Sequence, residues 1–323
     1  MLGAGLWGTV LANHLARQGW RVTLWEFFPE LARNLEKTRR HPHIPQMELD
    51  RGVRVTSDIR ASVRGAGLIV VALPSAHIRT TMRGLKRLVG RNSEKPLVVT
   101  ASKGVEKKTL KTMAEVIEDE LPGLAGRVYA LSGPSFAREV ARGVATKVLI
   151  AGRRRAIARQ LKRIFDGGPL RVVVSTDRRG VELGGGLKNV LAIACGMLDG
   201  MEAGFNTKAA LLTEGMAEMG RLISAQGGRA ETIYGLAGLG DLILTGTSNE
   251  SRNRTLGEKL GAGLSLESAM REIPTVMEGV ESARSAYELT RASGVDAPVL
   301  EAMWKILHRG APSSMLLEAL GFN

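Results

Sequence analysis

Met1-Leu2-Gly3-Ala4-Gly5-Leu6-Trp7-Gly8 sets glycines at positions 3, 5 and 8, the spacing G-x-G-x-x-G that opens a helix after a strand in dinucleotide-binding units. The spacing has a steric logic. Gly3 permits a tight turn, Gly5 lets a pyrophosphate approach the backbone, and Gly8 lets the helix pack on the sheet. The helix N-terminus then offers its N–H groups to the anion. A flexible glycine-rich segment meets the same pattern, so the context decides. Thr9 to Gln18 follows with helical spacing, Val10, Leu11, Leu15 and Ala16 being apolar, and Glu26 ends the next strand about twenty residues on. There an acid accepts hydrogen bonds from an adenosine ribose and repels a 2′-phosphate, which favours NAD over NADP; the competing reading is a solvated loop acid. Only Met1 and Leu2 stand where four or more strand residues belong. The reading therefore expects a start downstream of the true one and a crippled central strand.

Outward from this stretch, strand-like and helix-like segments alternate. Arg21–Trp25, Val53–Val55, Gly67–Leu73, Leu97–Val99, Val128–Leu131, Lys147–Ile150 and Arg171–Val174 read as strands. Pro29–Thr38 and Arg153–Phe165 read as helices, the first with Pro in its opening turn. The run at 67–73 is apolar throughout, as in a strand covered on both faces. Alternation of this kind implies a mainly parallel, doubly wound sheet. From Glu182 onward no strand is visible, and helices are expected at about 182–200, 207–226, 230–236, 253–260, 264–271, 278–292 and 298–308. The fold class is α/β: a Rossmann-type domain over 1–178 with a truncated first strand, then an all-helical domain over 179–323, joined by the helix that starts near Glu182.

The chain has 323 residues, 44% of them apolar, and a formal net charge of +13. That charge favours anionic partners such as phosphorylated metabolites. The basic residues are scattered (Arg39-Arg40, Lys107-Lys108, Arg153-Arg154-Arg155, Arg178-Arg179) and aromatics make up only 4%, which argues against a stacking platform for nucleic acid. One cysteine, Cys195, excludes an internal disulfide and a cysteine-built zinc site. His41, His43 and His77 lack metal-type spacing and read as surface or structural. No apolar run is expected to span a bilayer, and no basic stretch precedes a leader-like core. A soluble, cytoplasmic protein is expected.

Four further stretches set small residues beside one polar group: Ala101-Ser102-Lys103-Gly104; Gly133-Pro134-Ser135-Phe136-Ala137; Gly184-Gly185-Gly186-Leu187-Lys188-Asn189-Val190; and Gly238-Leu239-Gly240-Asp241-Leu242, running on to Ser251-Arg252-Asn253-Arg254. Lys103 follows a strand, at the carboxyl edge where doubly wound sheets bind ligands. Lys188 has Gly184 and Ala192 one turn away and otherwise apolar neighbours. Such a lysine either snorkels to water or lines a cavity, where burial draws its pKa towards the range of proton transfer. The small flanking face favours the cavity. Asp241 reads equally as a helix cap, Gly133-Pro134-Ser135 as a turn, and Ser251-Arg252-Asn253 as a polar loop ahead of a helix.

Taken together, LKNV, GLGDL and SRNR in this order resemble the bacterial-type NAD(P)-dependent glycerol-3-phosphate dehydrogenases, over essentially the whole chain. The resemblance implies a second domain like that of 6-phosphogluconate dehydrogenases and interconversion of dihydroxyacetone phosphate and sn-glycerol 3-phosphate for glycerophospholipid synthesis. It also implies NAD or NADP as cofactor, a phosphorylated triose as substrate, a homodimer, and neither nucleic acid nor an integral membrane segment among the partners. By motif, Lys188 resembles the proton donor and acceptor, with Lys103 and Asp241 beside it. Gly133, Ser135, Ser251, Arg252 and Asn253 resemble substrate contacts. Gly3, Gly5, Leu6, Trp7, Gly8, Glu26, Ala137, Val276 and Glu278 resemble cofactor contacts, a role Lys103 and Arg252 share. Leu6 stands where a small polar residue is common, which costs one side-chain contact to phosphate.

Three other readings stay open. A β-hydroxyacid dehydrogenase would share the architecture and a helix lysine but act on a carboxylate. A basic nucleic-acid-binding protein would show strong salt dependence. An inactive regulatory homologue would bind cofactor without turnover.

Overall fold

The structure, a computed structural model, describes residues 1–89, 95–273 and 278–322. It divides into two units: Met1–Lys103 with Met113–Arg178, and Gly104–Thr112 with Arg179–Asn323. The division expected at 178/179 thus needs one amendment, because the segment Gly104–Thr112 packs with the helical unit. Val105 joins that unit's core, Thr112 donates to the Glu182 carboxylate (3.0 Å), and the Gly104 backbone lies against Gly186.

In the first unit, α1 (Leu6–Arg17), β1 (Val22–Trp25), α2 (Pro29–Thr38), β2 (Val53–Thr56), α3 (Ile59–Val63), β3 (Leu68–Val71), α4 (Ser75–Val89) and β4 (Leu97–Thr100) come first. Then follow α5 (Met113–Glu120), β5 (Val128–Ser132), α6 (Ala137–Ala141), β6 (Thr146–Ala151), α7 (Arg155–Phe165) and β7 (Leu170–Ser175). β1 pairs with β2, and β3 to β7 run in order; among the described residues all pairs of these strands are parallel except β5 with β6. The single antiparallel pair departs from no local pattern, since strand direction leaves no mark on a buried apolar run.

The N-terminal residues occupy the centre of the sheet. Leu2 bridges in parallel to both Trp25 and Val71, so residues 1–3 lie between β1 and β3. Leu2 N–H donates to Val70 O (2.7 Å), Trp25 N–H to Met1 O (2.9 Å) and Ala72 N–H to Leu2 O (2.8 Å). Met1 faces one core and Leu2 the other, the period-two alternation of a strand. Two residues therefore join the halves of the sheet at its carboxyl edge. Along β3 to β5 the alternation persists: Ile69, Val71, Val98 and Val128 pack towards α4 and α5, while Val70, Val99, Tyr129 and Leu131 pack towards α1 and α7.

In the second unit, α8 (Arg178–Gly200), whose first residue still belongs to the first unit, leads into α9 (Gly204–Ala225), α10 (Asp241–Thr247), α11 (Arg252–Gly261), α12 (Leu266–Arg271), α13 (Glu278–Ser293), α14 (Pro298–Arg309) and α15 (Met315–Ala319). The helix expected at 230–236 is a 3₁₀ turn, Ala230–Tyr234, followed by a π-helical turn, Leu236–Gly240. Leu183, Leu187, Val190, Leu191, Ile193, Ala194 and Met197 bury every side of α8, as in a core helix. One expectation is corrected here. α8 is long and apolar enough to cross a membrane, although no such run was expected; its few charges lie at its ends and at Lys188, and its apolar window is wholly buried within the protein.

Candidate active site

The glycine loop has the shape its spacing demands. Gly3 adopts φ +104°, and a Cβ there would stand 2.5 Å from Ala72 O. At Gly8 a Cβ would stand 2.0 Å from Gly3 O, whereas at Gly5 it would meet nothing within 4 Å. Two glycines thus close the turn onto the sheet and the third opens it outward. The first turn of α1 carries no acid and no side-chain cap, which leaves its N–H groups suited to an anion. These residues fit the pyrophosphate of a dinucleotide. Leu6 and Trp7 are half-buried in that turn.

Glu26 follows β1, where its Oε1 accepts from Phe28 N–H (3.0 Å). The carboxylate is held at the mouth of α2 with its second oxygen available. The sequence reading passed over Phe27 beside it. This ring is 67% exposed and meets Trp25 and Phe28 edge-on, a flat apolar face next to Glu26. Lys103 lies half-buried beyond β4, and its Nζ donates to Gly133 O beyond β5 (3.5 Å). Ser135 Oγ donates to the same carbonyl (3.1 Å). The ASKG and GPSF stretches therefore meet at the carboxyl edge of the sheet. Ser102 closes that edge from below, donating to Leu73 O (2.6 Å) and accepting from Leu73 N–H (2.9 Å). Ala137 opens α6 and, like Leu6 and Trp7, packs against the core beneath α1. The Ser132 hydroxyl, just before Gly133, is buried with no hydrogen-bond partner.

In the second unit, Lys188 is buried rather than snorkelling, only 2% exposed. Its Nζ lies 2.9 Å from Asp241 Oδ1 and 3.1 Å from Thr245 Oγ1. Asp241 is equally buried and opens α10. Thr245, one turn on, donates to Asp241 O (2.8 Å) and accepts from the ammonium. Thr245 was missed in the sequence because its role needs α10 to exist: only at i, i+4 do residues 241 and 245 face the same way. A buried charge without a partner is costly, and Asp241 supplies the counter-charge. Asn189 is buried next to Lys188.

Ser251 caps α11, accepting from Arg254 N–H (3.3 Å). Arg252 is exposed in the first turn, and Asn253 Oδ1 accepts from Gly279 N–H (3.3 Å) at the start of α13. A Cβ at Gly279 would lie 3.0 Å from Asn189 O, which puts the segment 251–253 alongside the Lys188 turn of α8. Glu278 is the first residue of α13. Val276 lies outside the described residues. The first unit thus gathers Gly3, Gly5, Gly8, Glu26, Lys103, Gly133, Ser135 and Ala137 at one sheet edge, and the second gathers Lys188, Asp241, Asn253 and Gly279 around one turn of α8.

Comparison with known proteins gives this arrangement a family. Residues 1–158 match the model for the N-terminus of NAD-dependent glycerol-3-phosphate dehydrogenases, and residues 177–318 match that for the C-terminus. The chain is 42% identical to a glycerol-3-phosphate dehydrogenase [NAD(P)+] of Geobacter sp. (strain M21), covering 97% of this chain and 93% of that protein. It is 43% identical to the like-named protein of Moorella thermoacetica, covering 99% and 94%. A crystal structure of glycerol-3-phosphate dehydrogenase from Coxiella burnetii superposes with a TM-score of 0.89 at 35% identity, covering 99% of this chain and 96% of the other. The chain belongs to the NAD-dependent glycerol-3-phosphate dehydrogenase family.

Proposed function

We propose that this chain interconverts dihydroxyacetone phosphate and sn-glycerol 3-phosphate, using Lys188 to move the proton. Family membership carries the reaction, and one observation carries the residue assignment: a buried ammonium held by Asp241 and Thr245 on a helix otherwise lined with apolar and small side chains. When bound, the nicotinamide supplies or takes up the hydride. In the reducing direction negative charge grows on the carbonyl oxygen, and the Lys188 ammonium delivers a proton there. In the oxidising direction Lys188 takes the proton back from the hydroxyl. Asp241 keeps the ammonium charged, and Thr245 fixes its direction.

Lys103 is the first unit's cationic contact for substrate and cofactor, with Gly133 and Ser135 beside it. Arg252 offers a planar fork to the phosphate. Ser251 accepts within its own turn and keeps its hydroxyl proton for the substrate, and the Asn253 amide adds donors. Gly3, Gly5, Leu6, Trp7, Gly8 and Ala137 hold the dinucleotide, with Val276, Glu278 and Arg252 as further contacts. Glu26 takes the ribose and favours NAD over NADP, and Phe27 offers its face to the adenine ring.

In this reading residues 1–178, apart from the segment 104–112 that packs with the helical unit, form the cofactor domain and 179–323 the substrate domain. The enzyme works in the cytoplasm as a homodimer and supplies glycerol 3-phosphate for glycerophospholipid synthesis. The burial of α8 supports a protein without a membrane span. NADH oxidation followed by absorbance with dihydroxyacetone phosphate, and in parallel with β-keto acids, tests the substrate class. Turnover of the triose phosphate alone is expected; turnover of the keto acids alone would overturn the reading.

A further inference from the structure

α8 and α11 touch backbone to backbone. Gly196 and Gly200 lie on α8, Gly257 and Gly261 on α11. A Cβ added at Gly196 would stand 1.9 Å from Arg254 O, and one at Gly200 would stand 2.0 Å from Glu258 O. In return, a Cβ at Gly257 would stand 1.9 Å from Ile193 O, and one at Gly261 would stand 2.1 Å from Met197 O. The partners ascend together along both helices, so α11 runs parallel to α8. Its N-terminus, with Ser251, Arg252 and Asn253, therefore points back towards the Lys188 turn. Contacts this close fix the register, because a slip of one residue moves a helix by about 1.5 Å along its axis and drives a Cα into a carbonyl.

An ionic node sits on the same crossing. Asp199, between the two glycines of α8, accepts from Arg254 Nε (2.9 Å) and pairs with Arg254 Nη2 (2.8 Å). Its other oxygen pairs with Lys208 of α9. Arg254 also reaches Asn249 Oδ1 (2.9 Å) and Glu258 Oε2 (3.3 Å). Arg254 thus faces Asp199, and Arg252, two residues earlier, projects from nearly the opposite side of the helix, about 200° round. Asp199 and Lys188 are eleven residues apart, about three turns, so they stand on the same face of α8.

We propose that Asp199 is a positioning residue for the substrate phosphate. By tying Arg254 to α8 it holds the first turn of α11, and hence Arg252 and Ser251, at a set distance from the ammonium on the same helix. α8 then acts as a ruler between the reacting carbonyl and the phosphate. This rests on the substrate reading above and deepens it.

The test compares a substrate with its phosphate and one without. Asp199→Asn is expected to raise KM for dihydroxyacetone phosphate about ten- to a hundredfold, as displacement of a positioning group does, with kcat within about threefold. NADH binding by fluorescence and kcat/KM for unphosphorylated dihydroxyacetone are expected to stay unchanged. Arg254→Lys keeps a charge on Asp199 without the fork, and is expected to show the same phosphate-selective loss in milder form. Equal losses on both substrates, or no loss in either variant, would overturn the proposal. If Asp199→Asn does not fold, Arg254→Lys decides alone: an unchanged KM for the phosphorylated substrate overturns the clamp. Wild-type turnover is measured first and tests the substrate reading separately, so failure of the clamp and failure of that reading remain distinct.

Discussion

Lys188 owes its position to a trade between burial and pairing. Desolvation opposes its charge, and Asp241 at 2.9 Å restores it. Thr245 adds direction rather than charge. Thr245→Val should therefore leave the ion pair in place and lower kcat about tenfold, the worth of one hydrogen bond of about 1–1.5 kcal/mol, with little change in KM; an unchanged kcat would remove Thr245 from the site. In the proposed reading Glu26 acts on the cofactor alone. Glu26→Ser is expected to raise kcat/KM with NADPH relative to NADH, and unchanged discrimination would place the acid away from the ribose. Cys195 lies on the Lys188 helix but does no chemistry: burial pushes its thiol up to about 12. Alkylating reagents should leave the native enzyme unlabelled and active, labelling Cys195 only on unfolding. Rapid labelling of the native protein would contradict its burial.

At the scale of elements, the strands were legible to within a residue or two because apolar runs bounded by Gly and Pro are local signals. α2 is legible at its start from Pro29, whereas Arg39, left-handed at its close, is a residue type that does not signal that conformation. α4 was readable in principle from Ile78, Met82, Leu85 and Val89, yet the reading assigned nothing there. α10 was not readable, because its short apolar run follows glycines and shows no period. Nor was the packing of Gly104–Thr112 with the helical unit, since its partner on α8 lies about 80 residues away in sequence. The lysine and aspartate of the site were visible as unusual residues; their pairing was visible only through the resemblance. Glu218 was not visible at all. It lies on α9 and caps α14, accepting from Val299 N–H (2.8 Å) and Leu300 N–H (2.9 Å). Burial pushes its carboxyl from 4.5 up to about 7. The folded state thus binds this proton more tightly than the unfolded state. Its contribution to stability is fullest below about 4.5 and is lost as the pH rises through about 7. Glu218→Gln should flatten the stability–pH profile across that window in denaturant titrations. The same slope in the variant would assign the titration to another group.

Across the whole molecule, the charge of +13 creates a field that draws in an anionic substrate. Added salt is expected to lower kcat/KM for dihydroxyacetone phosphate by a few-fold between about 20 and 300 mM, as the Debye length shrinks, and to leave unphosphorylated dihydroxyacetone unaffected. Equal salt effects on both would exclude steering. Each unit brings its own half of the chemistry: a glycine-opened sheet edge shaped for a dinucleotide, and a buried ammonium on a core helix. The central claim is that the second half acts on a triose carbonyl. The most direct test is NADH oxidation with dihydroxyacetone phosphate by the wild-type protein and by Lys188→Ala, with NADH affinity measured by fluorescence on both. The account predicts wild-type turnover, a loss of at least about a thousandfold in the variant, the upper part of the range for general acid–base groups, and NADH binding within a few-fold. Near-normal turnover by Lys188→Ala would contradict it.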